Sequence, residues 1–88
     1  MRAIKRSTLF ELGRLTRKYA RTGDVDILSA RIEIARKLAT QAYGKDYAWL
    51  SFADFMNAAV GVYALYPECT DEEICELFRV LKFEVLDE

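Results

Sequence analysis

Residues 52–66 constrain the fold more than any other stretch, because almost every position in them is apolar. On a helix, their apolar side chains would cover nearly the whole circumference, and only Asp54, Asn57 and Gly61 would share a narrow polar strip. A helix that is apolar nearly all round is buried in a protein or in a membrane. Because the segment is shorter than the roughly 20 apolar residues that span a bilayer, it predicts the central helix of a small bundle rather than a membrane anchor.

The remaining sequence predicts three further helices around this one. We expect an all-α fold, a compact, bundle-like single domain over residues 1–88 without a substantial sheet. The expected helices lie near residues 8–22, 26–43, 52–66 and 71–82. Gly23 and Gly44 follow two of these helices, where a glycine commonly ends a helix.

Polar residues at the predicted helix starts support these boundaries. The pairs Thr8–Glu11 and Thr70–Glu73 have the spacing of a capping box, in which each side chain satisfies a free backbone N–H of the other residue. Asp24 or Asp26 is expected to cap the second helix.

Both ends of the sequence leave alternatives open. Residues 1–6 could extend the first helix or fray from it. Residues 83–86 alternate between apolar and charged side chains at first, so they could form a last helical turn or an extended tail.

The composition excludes several classes of protein. With 52% hydrophobic and 31% charged residues in an 88-residue chain, the sequence is not that of a disordered protein. Two cysteines are too few for a disulfide framework, and the absence of histidine argues against a zinc site. No apolar run near the start resembles a signal peptide. We therefore expect a cytoplasmic, reduced protein without metal or cofactor.

No pattern in the sequence indicates catalysis. The chain has no histidine, which is the commonest general base. Cys75 is surrounded by Asp71, Glu72 and Glu76, and nearby carboxylates raise the pKa of a thiol and reduce its reactivity. We therefore expect that the protein is not an enzyme.

The predicted core places Phe55, Ala59, Val62 and Tyr63 of the central helix inside the bundle. Their expected neighbours on the other helices are Leu12, Leu38 and Leu77. Arg31 falls within the apolar arc of the second helix. The favoured interpretation is that its stem reaches to the rim of the core, and the alternative is an ion pair with a C-terminal carboxylate.

The net charge of −1 conceals a strong asymmetry. Residues 1–45 contain eleven Lys and Arg against four Asp and Glu, which gives +7. Residues 46–88 contain two basic residues against ten acidic ones, which gives −8. Such a division indicates either an interaction surface or an internal electrostatic clamp.

Four of the basic residues form the best candidate site. They lie at positions i, i+3, i+4 and i+7, so they share one face of the first predicted helix: Arg14, Arg17, Lys18 and Arg21. This face is either an ordinary solvated surface, neutralised in part by the acidic half of the protein, or a contact for an acidic partner. The aromatic connector, residues 44–51 with Tyr47 and Trp49, is a second candidate for partner binding.

These features predict a small protein-interaction module, such as an adaptor, an inhibitor or an assembly factor. Its partner would be another protein with an acidic surface, and a homo-oligomer is possible. The alternative is an accessory protein that binds nucleic-acid phosphate through the same four cations. The pI of about 5.5 argues against that alternative, because dedicated nucleic-acid binders have strongly basic domains.

Overall fold

The computed structural model describes residues 2–45, 57, 61–64 and 68–88, and most of these residues are helical. In chain order the elements are β1 (Arg2–Lys5), α1 (Arg6–Thr22), α2 (Val25–Tyr43), α3 (Asp71–Val80) and β2 (Phe83–Leu86). Asn57 and residues 61–64 are also helical. Most of the predicted central helix, including Phe55 and Ala59, lies outside the described residues.

A parallel sheet of two strands joins the two ends of the chain, so the prediction of an all-α fold is wrong in the strict sense. Strand β1 pairs with β2, with Ile4 opposite Val85. A mostly helical fold is confirmed, but a simple four-helix bundle is not. No local pattern predicts the sheet, because β1 has only four residues and pairs with β2, which lies near the other end of the sequence.

The packing of Arg2 reinforces this pairing. Its guanidinium lies over the ring of Phe83, 4.2 Å from the ring centroid, and donates to the carbonyl oxygen of Leu81 at 2.6 Å. Phe83 in turn meets Phe78 of α3 edge to face, with ring centroids 5.5 Å apart. Residues 83–86 are therefore extended, with Phe83 and Val85 buried and Glu84 exposed.

Helix α1 begins at Arg6, two residues before its predicted start. Lys5 is the N-cap and provides no side-chain cap, so the predicted capping box at Thr8 and Glu11 is wrong. The buried hydroxyl of Thr8 accepts a hydrogen bond from Gln41 of α2 at 2.9 Å. The backbone N–H of Ser7 donates to the carbonyl oxygen of Glu88 at 2.8 Å, which satisfies one of the free donors of the first turn.

The predicted caps at Asp24, Thr70 and Gly23 are confirmed, whereas α3 ends at Val80 rather than near residue 82 and the predicted ends of the central helix lie outside the described residues. Asp24 caps α2 by accepting from the backbone N–H of Asp26 at 2.9 Å. Thr70 and Glu73 form the full capping box of α3. Gly23 follows α1 with a left-handed backbone, φ 65°, which a glycine adopts without steric cost.

The core brings both strands and the helices together. Its fully buried side chains include residues from β1, α1, α2 and α3, in order Ile4, Leu9, Leu12, Leu38, Ile74 and Phe78. Tyr63 is also buried, as predicted, while Val62 and Leu77 are partly buried and pack against the core.

Candidate functional site

A groove of about 430 Å³ opens on the surface of α1. Among the described residues, its lining consists of Arg14, Arg17, Ala20 and Arg21. Helical geometry places Arg14 and Arg21 about 10.5 Å apart along the axis, with Arg17 between them. The small side chain of Ala20 leaves the space between the longer arginine stems. We call this surface the α1 groove.

Arg17 is held by the acidic half of its own chain. Its Nη2 lies 3.0 Å from Oδ1 of Asp71, and the same nitrogen donates to the carbonyl oxygen of Cys69 at 3.3 Å. The guanidinium also lies over the ring of Tyr63, 5.1 Å from its centroid. Arg17 therefore connects α1, the helical segment 61–64 and the start of α3, which is the arrangement expected of an internal electrostatic clamp.

Arg14 is exposed but already has an acidic neighbour. Its Nε donates to Oε2 of Glu11 at 2.9 Å, one turn earlier on α1. This hydrogen bond from Arg14 lowers the pKa of Glu11, and the carboxylate raises the pKa of Arg14. Glu11 thus offsets much of the charge that Arg14 brings to the groove.

Lys18 and Arg21 carry the charge that remains available. Both side chains are exposed, and neither makes an ion pair or a side-chain hydrogen bond within the part of the chain that the structure describes. The predicted basic face is therefore divided. Arg17 turns towards the interior, Arg14 is paired along the helix, and Lys18 and Arg21 face solvent.

The other sequence candidates have different outcomes. Tyr47 and Trp49 of the aromatic connector lie outside the described residues, so their role in partner binding stays a prediction. Arg31 makes no ion pair with any carboxylate in residues 2–45 or 68–88, and its guanidinium instead lies 5.2 Å from the ring centroid of Tyr19. The ion pair with a C-terminal carboxylate is thus not formed.

A second groove, of about 380 Å³, was not anticipated from the sequence. Cys69, Leu77 and Val80 give it apolar walls, and the carboxylate side chains of Glu73 and Glu76 complete its described lining. We call it the α3 groove. Val80 is the lining residue that most suggests a contact surface, because it is a large apolar residue and is 73% exposed. The sequence carried a hint of it, because Glu73, Glu76 and Val80 have the spacing of one helix face.

Cys75, the nucleophile considered from the sequence, is not among the described lining residues of either groove. Cys75 is buried, and burial raises the pKa of its thiol, so the reactive thiolate is disfavoured. Within the described ranges, no three His, Cys, Asp or Glu side chains cluster in a way that could hold a metal ion. None of the described helices combines the length and apolar character that a bilayer span needs.

Comparison with protein-family models found no match, and searches of curated proteins and of solved structures found none either.

Proposed function

We propose that this chain is a small, non-catalytic protein-interaction domain, and that its α1 groove binds an acidic segment of another protein. The observation that carries the proposal is the groove itself, which Arg21 and the small Ala20 line, with the exposed Lys18 one turn from Arg21 on the same helix. Carboxylates form strong, often bidentate hydrogen bonds with guanidinium groups. An adaptor, an inhibitor or an assembly factor in the reducing cytoplasm would use such a surface, and both cysteines are free thiols.

An acidic protein suits this surface better than nucleic acid. Arg17 is engaged with Asp71, so the groove lies next to the acidic start of α3. A phosphate chain that extended beyond the groove in that direction would meet Asp71, Glu72 and Glu73, which would repel it. A folded acidic segment presents its carboxylates locally and avoids that repulsion. Nucleic-acid binding through the same cations remains the alternative.

The test compares two variants with the same change of charge. Lys18→Gln with Arg21→Gln removes the exposed cation of the groove, Arg21, and its exposed neighbour on α1, Lys18. Lys37→Gln with Lys45→Gln removes two exposed cations elsewhere. Both variants should keep the fold, because exposed charges contribute little to stability and glutamine is a good helix former at Lys18, Arg21 and Lys37, which lie on helices.

The measurement is affinity capture from the native host with and without nuclease, quantified by mass spectrometry. We expect proteins that the wild type and the control variant retain, that the groove variant loses, and that nuclease does not release. Release by nuclease would favour the alternative. Equal capture by the groove variant and the wild type would exclude the groove and direct attention to Tyr47 and Trp49.

A further inference from the structure

We infer that a second copy of this chain is one partner, with the α1 groove of one copy contacting the α3 groove of the next. The inference rests on the proposed function, because it uses the same exposed cations of α1. The inference goes beyond the proposed function by naming the acidic surface, which is the α3 groove of a second copy.

The α3 groove has the composition that suits a lysine or arginine side chain. These side chains bury their alkyl stems along apolar surface and keep the charged end near polar groups. Leu77 and Val80 offer such apolar surface, and the carboxylates of Glu73 and Glu76 lie in the same groove. Val80 in particular presents apolar area to solvent that a stem could cover.

The α1 groove supplies matching side chains. Lys18 and Arg21 are exposed; Arg21 lines the groove together with Ala20, which is exposed as well, and Lys18 lies one turn from Arg21, outside the described lining. Ala20 gives room for an apolar side chain of the opposing surface, so that Val80 of one copy and Ala20 of another would lie close together. The two surfaces are therefore complementary in charge, with cations opposite carboxylates.

Pairing within one chain leaves Glu73 without a cation and gives Glu76 only a partner on its own helix, among the described residues. Of the carboxylates at the start of α3, Asp71 pairs with Arg17, and Glu72 pairs with Arg6. The side chain of Glu73 bonds only to Thr70, and Glu76 pairs with Arg79 on its own helix, among the residues that the structure describes. No cation of α1 in these ranges reaches either Glu73 or Glu76.

The contact joins two different surfaces of the chain. It can form twice in a two-fold dimer, in which each copy offers both surfaces to the other, or it can continue from copy to copy in a ring or a filament. Because the contact joins exposed charges, added salt should weaken it.

The experiment is sedimentation velocity of the full chain across a wide concentration range, at low and high salt. Two new variants are used. The α1 variant is Lys18→Glu with Arg21→Glu, and the α3 variant is Glu76→Lys. Glu84→Lys, which changes an exposed acid on β2, is the control for the second substitution. We expect the wild type and the control to associate at low salt. The α1 variant and the α3 variant should each associate roughly tenfold more weakly.

Mixing the two variants gives the decisive result. In the mixture, the α3 variant still has an intact basic surface on α1, and the α1 variant still has an intact α3 groove. These two surfaces can contact each other, so association should return. Val80→Gln replaces Glu76→Lys if circular dichroism shows that the lysine variant loses helix. This substitution changes no charge and should also weaken association.

A wild type that stays monomeric at the highest concentration in low salt would overturn the inference. So would mixed variants that stay monomeric. In either case, loss of captured host proteins by Lys18→Gln with Arg21→Gln would still support the proposed function. The failure of one proposal is thus distinguishable from the failure of the other.

Discussion

The ring of Tyr63 lies directly against Gly13 of α1. A methyl group at Gly13 would sit 2.4 Å from Cε1 and Cζ of the ring and 2.7 Å from the phenol oxygen. The same phenol donates to the carbonyl oxygen of Leu9 at 3.1 Å. The missing side chain at Gly13 therefore lets the ring reach the α1 backbone, and this contact fixes the helical segment 61–64 to α1.

Gly13→Ala should destabilise the protein. In an unhindered helix, alanine is more favourable than glycine by about 1 kcal/mol. Here the added methyl would displace the Tyr63 ring and weaken its bond to Leu9, and overpacking of this kind costs about 1–3 kcal/mol. We expect a net loss of about 1–2 kcal/mol in the free energy of unfolding, measured by urea denaturation.

A second background provides the control for this prediction. In Tyr63→Ala, the ring is gone, so Gly13→Ala should become stabilising by up to about 1 kcal/mol. A gain in stability from Gly13→Ala with Tyr63 present would show that the ring does not lie on this glycine.

Most local patterns were read correctly from the sequence, with the capping box at Thr8 as the exception, and contacts between distant residues were not. The cap at Asp24 and the capping box at Thr70 involve residues at most three positions apart, so the sequence displays them directly. The role of Gly13 depends on Tyr63, fifty positions later, and no local pattern reports such a contact. The pairing of β1 with β2 was missed for the same reason.

The candidate site shows the same division. Helical spacing correctly placed the four cations on α1, but it could not indicate that Arg17 turns towards Asp71. That arrangement depends on the start of α3 lying beside α1. The opposite charges of the two halves of the sequence did predict an internal electrostatic clamp as one alternative, but they did not identify the residues that form it.

Arg17→Gln should destabilise the fold, whereas Arg21→Gln should not. Oδ1 of Asp71 is buried and makes no hydrogen bond among the described residues, so the ion pair with Arg17 is what compensates its burial there. Losing that compensation should cost about 1–3 kcal/mol. Arg21 is exposed, so its substitution should change the free energy of unfolding by less than about 0.5 kcal/mol. Thermal unfolding of both variants measures the difference, and equal melting temperatures would contradict the clamp.

Alkaline pH should destabilise the protein through Tyr63. Burial, followed by the neighbouring Asp71 carboxylate, raises the pKa of Tyr63 above its usual value of 10.0. The unfolded chain therefore releases the phenol proton at a lower pH than the folded protein. The stabilisation is complete below a pH of about 10 and is lost progressively above it, by up to about 1.4 kcal/mol per pH unit.

Tyr63→Phe isolates this effect from the other groups that titrate at high pH. Phenylalanine keeps the ring but has no proton to release, so the free energy of unfolding of this variant should fall less steeply above a pH of about 10. Below that pH the variant should be less stable than wild type by about 1 kcal/mol, because the bond to Leu9 is lost. Parallel pH profiles for the two proteins would contradict the raised pKa.

Lys82→Gly should stabilise the protein, because Lys82 occupies a left-handed backbone conformation between α3 and β2. Its φ is 73°, the one positive value among the described residues other than glycine. That conformation costs a residue with a Cβ about 1–2 kcal/mol, a cost that glycine avoids. Since the glycine chain also loses more entropy on folding, we expect a net gain of about 0.5–1 kcal/mol in the free energy of unfolding, measured in urea.

Lys82→Ala is the matched control, since it removes the charge and keeps the Cβ, and it should give no such gain. If both variants changed stability equally, the ammonium group rather than the backbone would be responsible. Lys82→Val should be the least stable of the three, because a β-branched side chain is the least tolerant of positive φ.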